Sequence, residues 1–534
     1  MSAGPRRSVC LVAAVAALGG FSAAPAYAIS GTAPPTDGAA WSPNVGSWTV
    51  YHGNPAGTYA AASESSVSTT RAWTSPTLDG QLFGEPLASG DLVYVATEND
   101  TVYALSARTG VVAWSTHVGT PVPSGSLPCG DITPTVGITG TPVIDPSRDE
   151  IFVVADIFHS GHPAHTLVGL STTSGKIELQ QDIDPPGADP AALLQRTGLT
   201  LDAGRVVFGM GGNYGDCSSY QGRVVGVPEA GGSPTFFTID SATGESQGAI
   251  WMGGAAPVID RQGNIWVVSG NGSVTTAGHA YDDADGALEL SSSLQLKQYY
   301  APTDWLSHNA DDVDMSTAPV LLPSGQVLVA DKSGTAYLLN GSHLGGIGGQ
   351  QATVRACEDD IDGGGALLGM TVFLPCLDGV TAVRVTASPP GLRLLWNSGV
   401  GGGPPVVAAG LVWTIGQDGV LYGLAPSTGK IRQQMTLGTP ANHFPTPSVA
   451  DGLMLAACAV NVVAFPVQGS TASSQAPTAA QGASCAAYTQ PGPGVPRRYI
   501  AAAAVGGLIV VLAIAYLGWF TLRRRKGRRM ASLS

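Results

Sequence analysis

Short apolar runs separated by polar, glycine-rich turns fill most of this 534-residue chain. One version of the pattern occurs twice, as GDLVYVATENDTVYALSARTG at residues 90–110 and as GLVWTIGQDGVLYGLAPSTG at residues 410–429. Each copy has an apolar strand, a polar turn, a second strand containing Tyr and Leu, and a final Thr-Gly pair. Weaker copies lie between them, so the pattern predicts one array of repeated β-sheet units.

The spacing of the repeats indicates the architecture. Each unit spans roughly 40–50 residues, which is enough for four short strands and their turns. One such sheet cannot bury both of its faces, whereas sheets stacked radially cover one another. We therefore predict an all-β protein with a single β-propeller of eight four-stranded blades. Seven blades stay open as the alternative, because the third and sixth units carry the weakest pattern.

Three local features are expected to hold the propeller together. The Thr-Gly and Ser-Gly pairs should turn the chain between outer strands, because glycine accepts positive φ. Trp114, after the first Thr-Gly pair, should pack between adjacent sheets. We expect Trp48 to Tyr51 to pair with the strands of the last blade and so to close the ring.

Both ends of the chain carry targeting signals. Arg6 and Arg7 precede an apolar run, and Ala26-Tyr27-Ala28 has the form of a signal-peptide cleavage site. Residues 499–522 contain no charge and are long enough to cross a bilayer, and a cluster of Arg and Lys follows at once. Positive residues stay on the cytoplasmic side, so we predict a single-pass cell-membrane protein with an extracellular propeller.

The sequence therefore divides into six segments. They are a signal peptide (1–28), a leader (29–44), the propeller (45–467), a tether rich in Ser, Ala, Pro and Gly (468–498), a transmembrane helix (499–522) and a basic cytoplasmic tail (523–534).

The charge of the chain limits its partners. Asp and Glu number 38 against 25 Lys and Arg, and many of the basic residues lie in the predicted signal and tail. The exported part is therefore strongly acidic, which argues against nucleic acid and is compatible with cations. The basic tail is interpreted as a stop-transfer signal rather than a nucleic-acid site.

Six cysteines remain after removal of the signal, and an even number in an oxidising compartment indicates up to three disulfides. Many pairings satisfy the count; we favour Cys357–Cys376, Cys129–Cys217 and Cys458–Cys485. None of them forms a CxxC pair, so a thioredoxin-like role is not expected.

The repeat consensus resembles a known family. The order Pro-Val, then GxxVYVAT, then YALxxxTG, then Trp is similar to the PQQ-binding-like (quinoprotein) β-propeller repeat. Residues 48–61 and 137–145 also resemble segments of such proteins. The resemblance covers about residues 45–467. It implies the fold, but not one function, because the repeat serves quinone-dependent dehydrogenases and also non-enzymatic scaffolds such as a lipoprotein of outer-membrane assembly.

Enzymes of this family hold PQQ over a calcium ion, with an Asp as general base and a cation near the quinone oxygens. The resemblance implies Asn271 as a calcium ligand, Asp282 or Asp283 as the catalytic general base, Asp283 as a further calcium ligand, and Lys332 as a cofactor contact. Each residue has a simpler interpretation: Asn271 and Lys332 as hairpin turns, and the acids as a solvated or calcium-binding loop.

Several departures weigh against an enzyme. The chain has no adjacent cysteines and no CxxCH motif, the calcium-binding Glu cannot be placed, and the Trp that floors the quinone site cannot be assigned. The sequence also lacks HExxH and P-loop motifs. His159, His162 and His165, with Asp156, form a further candidate metal cluster, with a solvated turn as the simpler interpretation.

We therefore expect a non-enzymatic binding or scaffold propeller at a bacterial cell surface, whose partner is an envelope protein or polymer. The alternative is a PQQ- and calcium-dependent oxidoreductase of alcohols or sugars. A calcium-dependent adhesion module is the third hypothesis, based on the acidic loops around residues 282 and 311.

Overall fold

Eight sheets of four or more strands follow one another along the part of the chain that the computed structural model describes, which is residues 46–58, 66–438, 440, 442 and 444–468. Each sheet corresponds to one repeat, and its strands are antiparallel apart from one added parallel strand in blade 4. The prediction of an eight-bladed all-β propeller is confirmed, and the alternative of seven blades is wrong. The weak third and sixth units each form a complete blade.

The first four blades are continuous segments of the chain apart from one added strand. Blade 1 contains Leu87–Ser89, Leu92–Ala96, Thr101–Ser106 and Val112–His117; blade 2 contains Val143–Asp145, Glu150–His159, His162–Ser171 and Ile177–Asp182; blade 3 contains Leu193–Leu194, Thr200–Asp202, Arg205–Gly212, Arg223–Pro228 and Thr235–Thr238; blade 4 contains Val258–Ile259, Ile265–Val268, Ala287–Leu290, Leu296–Ala301 and the parallel strand Gly346–Ile347.

The last four blades complete the ring. Blade 5 contains Val320–Leu321, Gln326–Ala330, Thr335–Asn340 and Ala352–Arg355; blade 6 contains Ala366–Leu368, Thr371–Cys376, Gly379–Ala387 and Pro390–Asn397; blade 7 contains Val406–Ala408, Leu411–Ile415, Val420–Leu424 and Ile431–Thr436; blade 8 contains Ser448–Ala450, Leu453–Cys458, Asn461–Gln468, Ser66–Val67 and Trp73–Thr74.

Few elements of the described chain lie outside the blades. They are the two-stranded ladder Val122–Pro123 with Thr135–Val136, the α-helix Trp305–Asp311, and the 3-10 turns Tyr51–Gly53, Ser124–Ser126, Pro190–Ala192 and Met252–Gly254.

Two early strands close the ring. Ser66–Val67 and Trp73–Thr74 pair with Asn461–Gln468 at the outer edge of blade 8. The expectation that Trp48 to Tyr51 would do this is wrong, since Trp48 instead bridges to Ala88 in blade 1. Successive residues from Val50 to His52 are all buried, which does not fit the in-and-out alternation of an edge strand.

The segment around Tyr51 instead lies inside the ring. The carbonyl of Thr49 accepts from the N–H of Ile144 in blade 2, at 2.8 Å. The hydroxyl of Tyr51 accepts from the N–H of Gly364, next to blade 6, at 3.2 Å. Because first strands of neighbouring blades contact one another around the channel, this segment fills part of the centre.

A repeated Trp–Gly contact holds neighbouring blades. The indole N–H of an outer-strand Trp donates to a turn carbonyl of the next blade, in the pairs Trp73–Ala107, Trp114–Thr172 and Trp396–Pro426 (2.8, 2.9 and 3.0 Å). The Gly of each turn has positive φ, and a Cβ there would meet the indole ring within about 2.5 Å at Gly110, Gly175 and Gly429. The predicted roles of Trp114 and of the Thr-Gly turns are confirmed.

Within the described residues, no helix has the length and apolar character needed to span a bilayer. The predicted signal peptide, leader, transmembrane helix (499–522) and basic tail lie outside those residues.

Candidate functional site

Two of the predicted residues meet at the boundary between blades 4 and 5. Asn271 follows the second strand of blade 4, and Lys332 lies in the turn after Gln326–Ala330 of blade 5. Both contact Asp314, in the segment that leads into blade 5. The N–H of Asn271 donates to Asp314 Oδ1 at 2.7 Å, and the Lys332 ammonium forms an ion pair with Asp314 Oδ2. Asp314 is 1% exposed, so this ion pair lies largely out of water.

An aromatic side chain completes the group. The Lys332 Nζ lies 5.9 Å from the centre of the Trp251 ring, a distance at which the ring attracts a cation. The Trp251 indole N–H donates to the carbonyl of Gly212 at 3.0 Å, which fixes the ring against blade 3. Trp251 and Lys332 are both half-buried. We call Trp251, Asn271, Asp314 and Lys332 the mouth site.

The two acids proposed from the sequence take other partners. Asp282 accepts from the side chain of Asn309 at 3.1 Å and from the N–H of Ala284 at 3.2 Å. The carbonyl of Asp283 accepts from the Ser269 hydroxyl at 2.7 Å. The carboxylate that contacts both Asn271 and Lys332 is Asp314, which sequence reasoning missed. The feature of the sequence that could have identified Asp314 is its position shortly before Ala318-Pro319-Val320, which opens blade 5.

Asp285, near the mouth site, has a buried carboxyl group without a hydrogen-bond partner in the described part of the chain. Its side chain is fully buried, and neither carboxyl oxygen has a hydrogen-bond partner among the described residues. Burial raises the pKa of Asp285 well above its usual range, and the charges of Asp314 and Asp282 raise it further against the opposing effect of Lys332. A buried carboxyl in this position is either protonated or compensated by a cation.

Asp331 has a purely structural role by contrast. Its Oδ1 accepts from the hydroxyl of Ser333 at 2.5 Å and from the N–H of Thr335 at 3.2 Å, and its Oδ2 accepts from the hydroxyl of Tyr337 at 2.7 Å. These bonds fix the turn that presents Lys332. The backbone of this segment is therefore a hairpin turn, while the Lys332 side chain reaches out of the turn to Asp314.

Further acids surround the mouth site. Burial raises the pKa of Asp216 to about 6, although the hydroxyl of Tyr220 and the side chain of Asn271 hydrogen-bond to it. Burial also raises the pKa of Asp360 to about 6 and that of Asp362 well above its usual range. Acidic side chains thus outnumber the ammonium of Lys332 around the site, an arrangement compatible with a bound cation.

The acids do not complete a cation site by themselves. In the described part of the chain, one group of three His, Cys, Asp or Glu side chains has ligand atoms within 4.8 Å of one another, Cys357, Cys376 and Asp378, and its two cysteines are joined in a disulfide. A cation at the mouth would thus need oxygen donors outside these residue types, such as the Asn271 amide or a bound ligand.

The three histidines of the HSGHPAH segment do not form one cluster. His159 and His162 face each other at the end of the blade 2 hairpin. His165 is buried between two carboxylates, with Nε2 2.8 Å from Asp156 Oδ1 and Nδ1 2.6 Å from Asp184 Oδ1. These contacts form an ion-pair network rather than the metal site that the sequence offered.

The structure contains the disulfides Cys129–Cys217 and Cys357–Cys376, two of the three expected pairings. Cys485 lies outside the described residues, so its pairing with Cys458 stays a prediction.

An eight-bladed propeller with these repeats defines the class of PQQ-like β-propellers. The chain belongs to the PQQ_2 family, whose model is described as outer membrane protein assembly factor BamB and matches residues 34–339, more than half of the sequence. No curated protein matches the chain by sequence.

Three solved structures share the fold. Quinohemoprotein alcohol dehydrogenase ADHIIG from Pseudomonas putida HK5 is 12% identical, with a TM-score of 0.58 over 80% of this chain and 81% of that one. Quinohemoprotein alcohol dehydrogenase from Comamonas testosteroni is 14% identical, with a TM-score of 0.58 over 80% and 81%. A europium-containing methanol dehydrogenase is 14% identical, with a TM-score of 0.57 over 77% and 89%. At these identities the likeness shows the fold alone.

Proposed function

We propose that the mouth site binds a PQQ-type quinone together with a hard cation such as calcium. The observation that carries the proposal is the convergence of Lys332 and Asn271 on Asp314, with the Trp251 ring 5.9 Å from the Lys332 ammonium. A planar quinone requires an aromatic face to stack on and a cationic side chain near its oxygens, and calcium requires hard oxygen donors. The names of the solved structures support the same ligand class.

Each residue of the mouth site has a role in this proposal. Trp251 offers a face for stacking, and the Lys332 ammonium donates to quinone or carboxylate oxygens. The Asn271 amide and the Asp314 carboxylate supply hard oxygens for the cation. Because the protein donors are incomplete, the cation and the quinone should bind together, each supplying what the other lacks. When bound, the quinone supplies an acceptor for two electrons.

The proposal concerns binding, and oxidation of alcohols or sugars is the activity to test next. The chain has no adjacent cysteines to cover the second face of a quinone. Asp314 is engaged by Lys332 and Asn271, so its carboxylate is a positioning group here rather than a free base.

Quinone affinity in matched variants tests the proposal. Full-length protein with calcium is titrated with PQQ, and the quenching of tryptophan fluorescence is followed. Lys332→Met should weaken binding at least about tenfold through loss of one charge-assisted hydrogen bond. Lys297→Met is the control, since Lys297 forms its ion pair with Glu289 in blade 4 (2.6 Å). Equal affinities in both variants would contradict the assignment.

A scaffold function is the second candidate, and the family assignment favours it. In this form the chain is displayed outside the cell on its C-terminal helix and binds an envelope protein or polymer through its rim. Asp282 and Asp283, bound to neighbouring loop residues, would then belong to the framework of that rim.

A genetic test separates the two candidates. Cells lacking the protein are complemented with wild type, Lys332→Met or Lys297→Met. Full rescue by Lys332→Met would support a scaffold and oppose a role for quinone binding. Selective failure of Lys332→Met, at normal protein level, would support the mouth site.

A further inference from the structure

A second cationic side chain lies among the inner segments of the blades. Arg196 is in the inner segment of blade 3, between the strands Leu193–Leu194 and Thr200–Asp202. Its Cζ lies 5.8 Å from the centre of the Phe83 ring and 5.3 Å from the centre of the Phe444 ring. Phe83 precedes blade 1 and Phe444 precedes blade 8. Since blades 3 and 8 are not neighbours, the Arg196 side chain extends across the channel.

Apart from its two aromatic contacts, the guanidinium of Arg196 has no polar partner among the described residues. The residue is 9% exposed, yet no described residue accepts a hydrogen bond from its guanidinium or forms an ion pair with it within 4.0 Å. None of its nitrogens is among the fully enclosed atoms without a partner, so solvent reaches them. An arginine carries five N–H donors in a fixed fork, and here that fork faces the channel.

The backbone leaves room for this group. A Cβ at Gly254, at the entrance of blade 4, would lie 2.6 Å from Arg196 Nη1. Gly254 also has positive φ (82°), so a side chain there would be strained as well as in contact with the guanidinium. The channel wall is therefore shaped around the charged end of Arg196.

Nearby acids do not neutralise this charge. The groups whose charges act on Arg196 are Glu98, Asp131, Tyr51 and Asp362. Burial raises the pKa of Glu98 to about 8, although Gly137 N–H and the Thr139 hydroxyl donate to it. Burial and the charge of Asp360 raise the pKa of Asp362 well above its usual range. Burial raises the pKa of the Tyr51 phenol too, and Asp131 is exposed. Near neutral pH, Arg196 thus lacks a buried counter-charge.

We infer that Arg196 is a receptor for the oxyanion of a small ligand, a carboxylate or a phosphate, that enters the channel. The planar fork matches either group in a bidentate arrangement, and the two aromatic rings hold the guanidinium in place. A charged group so largely removed from water gains most from an incoming counter-ion. The site is separate from the mouth site, because it needs neither Lys332 nor a cation, and it stands without the proposed quinone.

Anion titration of the full-length chain tests the inference. Isothermal titration calorimetry is run with acetate, succinate and inorganic phosphate, without PQQ or calcium. Saturable binding of at least one anion is expected. Tighter binding of phosphate would assign a phosphorylated ligand, and tighter binding of succinate a carboxylate.

Variants locate the binding. Arg196→Gln should weaken the anion at least about tenfold, and Arg196→Lys, which keeps the charge but loses the fork, should be intermediate. Lys332→Met should leave the affinity unchanged. Melting curves check that each variant folds. If Arg196→Gln does not fold, Arg196→Lys takes its place as the test variant. Unchanged affinity in the Arg196 variants, equal loss in Lys332→Met, or no binding by wild type would overturn the inference.

Discussion

The N–H of Asn271 donates a hydrogen bond of 2.7 Å to Oδ1 of Asp314, and this bond joins blade 4 to the segment that enters blade 5. The other oxygen of the same carboxylate holds Lys332. One buried acid therefore contacts both Asn271 and Lys332, two of the residues that the sequence had indicated. Its loss should disturb stability and the mouth site together.

The Asp314–Lys332 ion pair gives the first prediction. Asp314→Asn leaves the Lys332 ammonium without its partner, and Lys332→Met leaves a buried carboxylate without its own. Each change should cost about 2 kcal/mol in the free energy of unfolding, less than a fully buried pair because Lys332 is 27% exposed. Urea denaturation measures this cost.

The double variant supplies the control. Asp314→Asn with Lys332→Met should be less destabilised than the sum of the two single changes, with a coupling of about 1–2 kcal/mol. Additive costs would show that the ion pair contributes nothing to stability.

The Trp–Gly contact between blades gives the second prediction, with a matched control. Gly175 and Gly204 both have positive φ (69° and 76°), but only a Cβ at Gly175 would meet Trp114, at 2.5 Å. Gly204→Ala should cost about 1 kcal/mol from backbone strain alone. Gly175→Ala should cost about 1–3 kcal/mol more, because the ring must shift. Equal losses in chemical denaturation would contradict this role of the Trp.

His165 gives a prediction about alkaline pH. Burial opposes its charge, but Asp156 and Asp184 outweigh burial and raise the pKa of His165 to about 10, from 6.5 in the unfolded chain. The folded state keeps a proton that the unfolded state loses, so this stabilisation is complete below about pH 6.5 and is lost as pH rises toward 10. The slope should approach 1.4 kcal/mol per pH unit within that window. In His165→Gln the contribution of this group to the slope should disappear; an unchanged slope would show that His165 is neutral.

Asp100 gives a prediction for a lower range of pH. Both of its carboxyl oxygens are buried and without a partner among the described residues. Burial, and then the charges of Asp156, Glu98 and Asp79, raise the pKa of Asp100 to about 9, from 3.8. The folded state binds the extra proton, so stability should fall as pH rises between about 4 and 9.

Asp100→Asn mimics the protonated form and suits the positive φ (55°) of this turn. The variant should match wild type near pH 4 and be more stable than wild type at pH 8. Equal stability at both pH values would exclude a raised pKa at Asp100.

The sequence predicted the blades more fully than the site, for a physical reason. Alternating apolar strands and Thr-Gly turns are local, so they are visible in each repeat, and the Trp114 contact followed from them. The closure by residues 66–67 and 73–74 was missed because those strands are very short. Asp314, Trp251 and Arg196 come from three different blades, and only the closed ring shows that their side chains reach the channel.

The dependence of quinone affinity on calcium tests the central claim most directly. PQQ is titrated into full-length protein by tryptophan fluorescence, once with excess calcium and once with EGTA. Because the protein donors at the mouth site are incomplete, calcium should tighten PQQ binding by at least about tenfold, and PQQ should tighten calcium binding by the same factor. Saturable binding with this dependence, lost in Lys332→Met, is the predicted result. No saturable binding of PQQ in either condition, or binding that ignores calcium, would contradict the account.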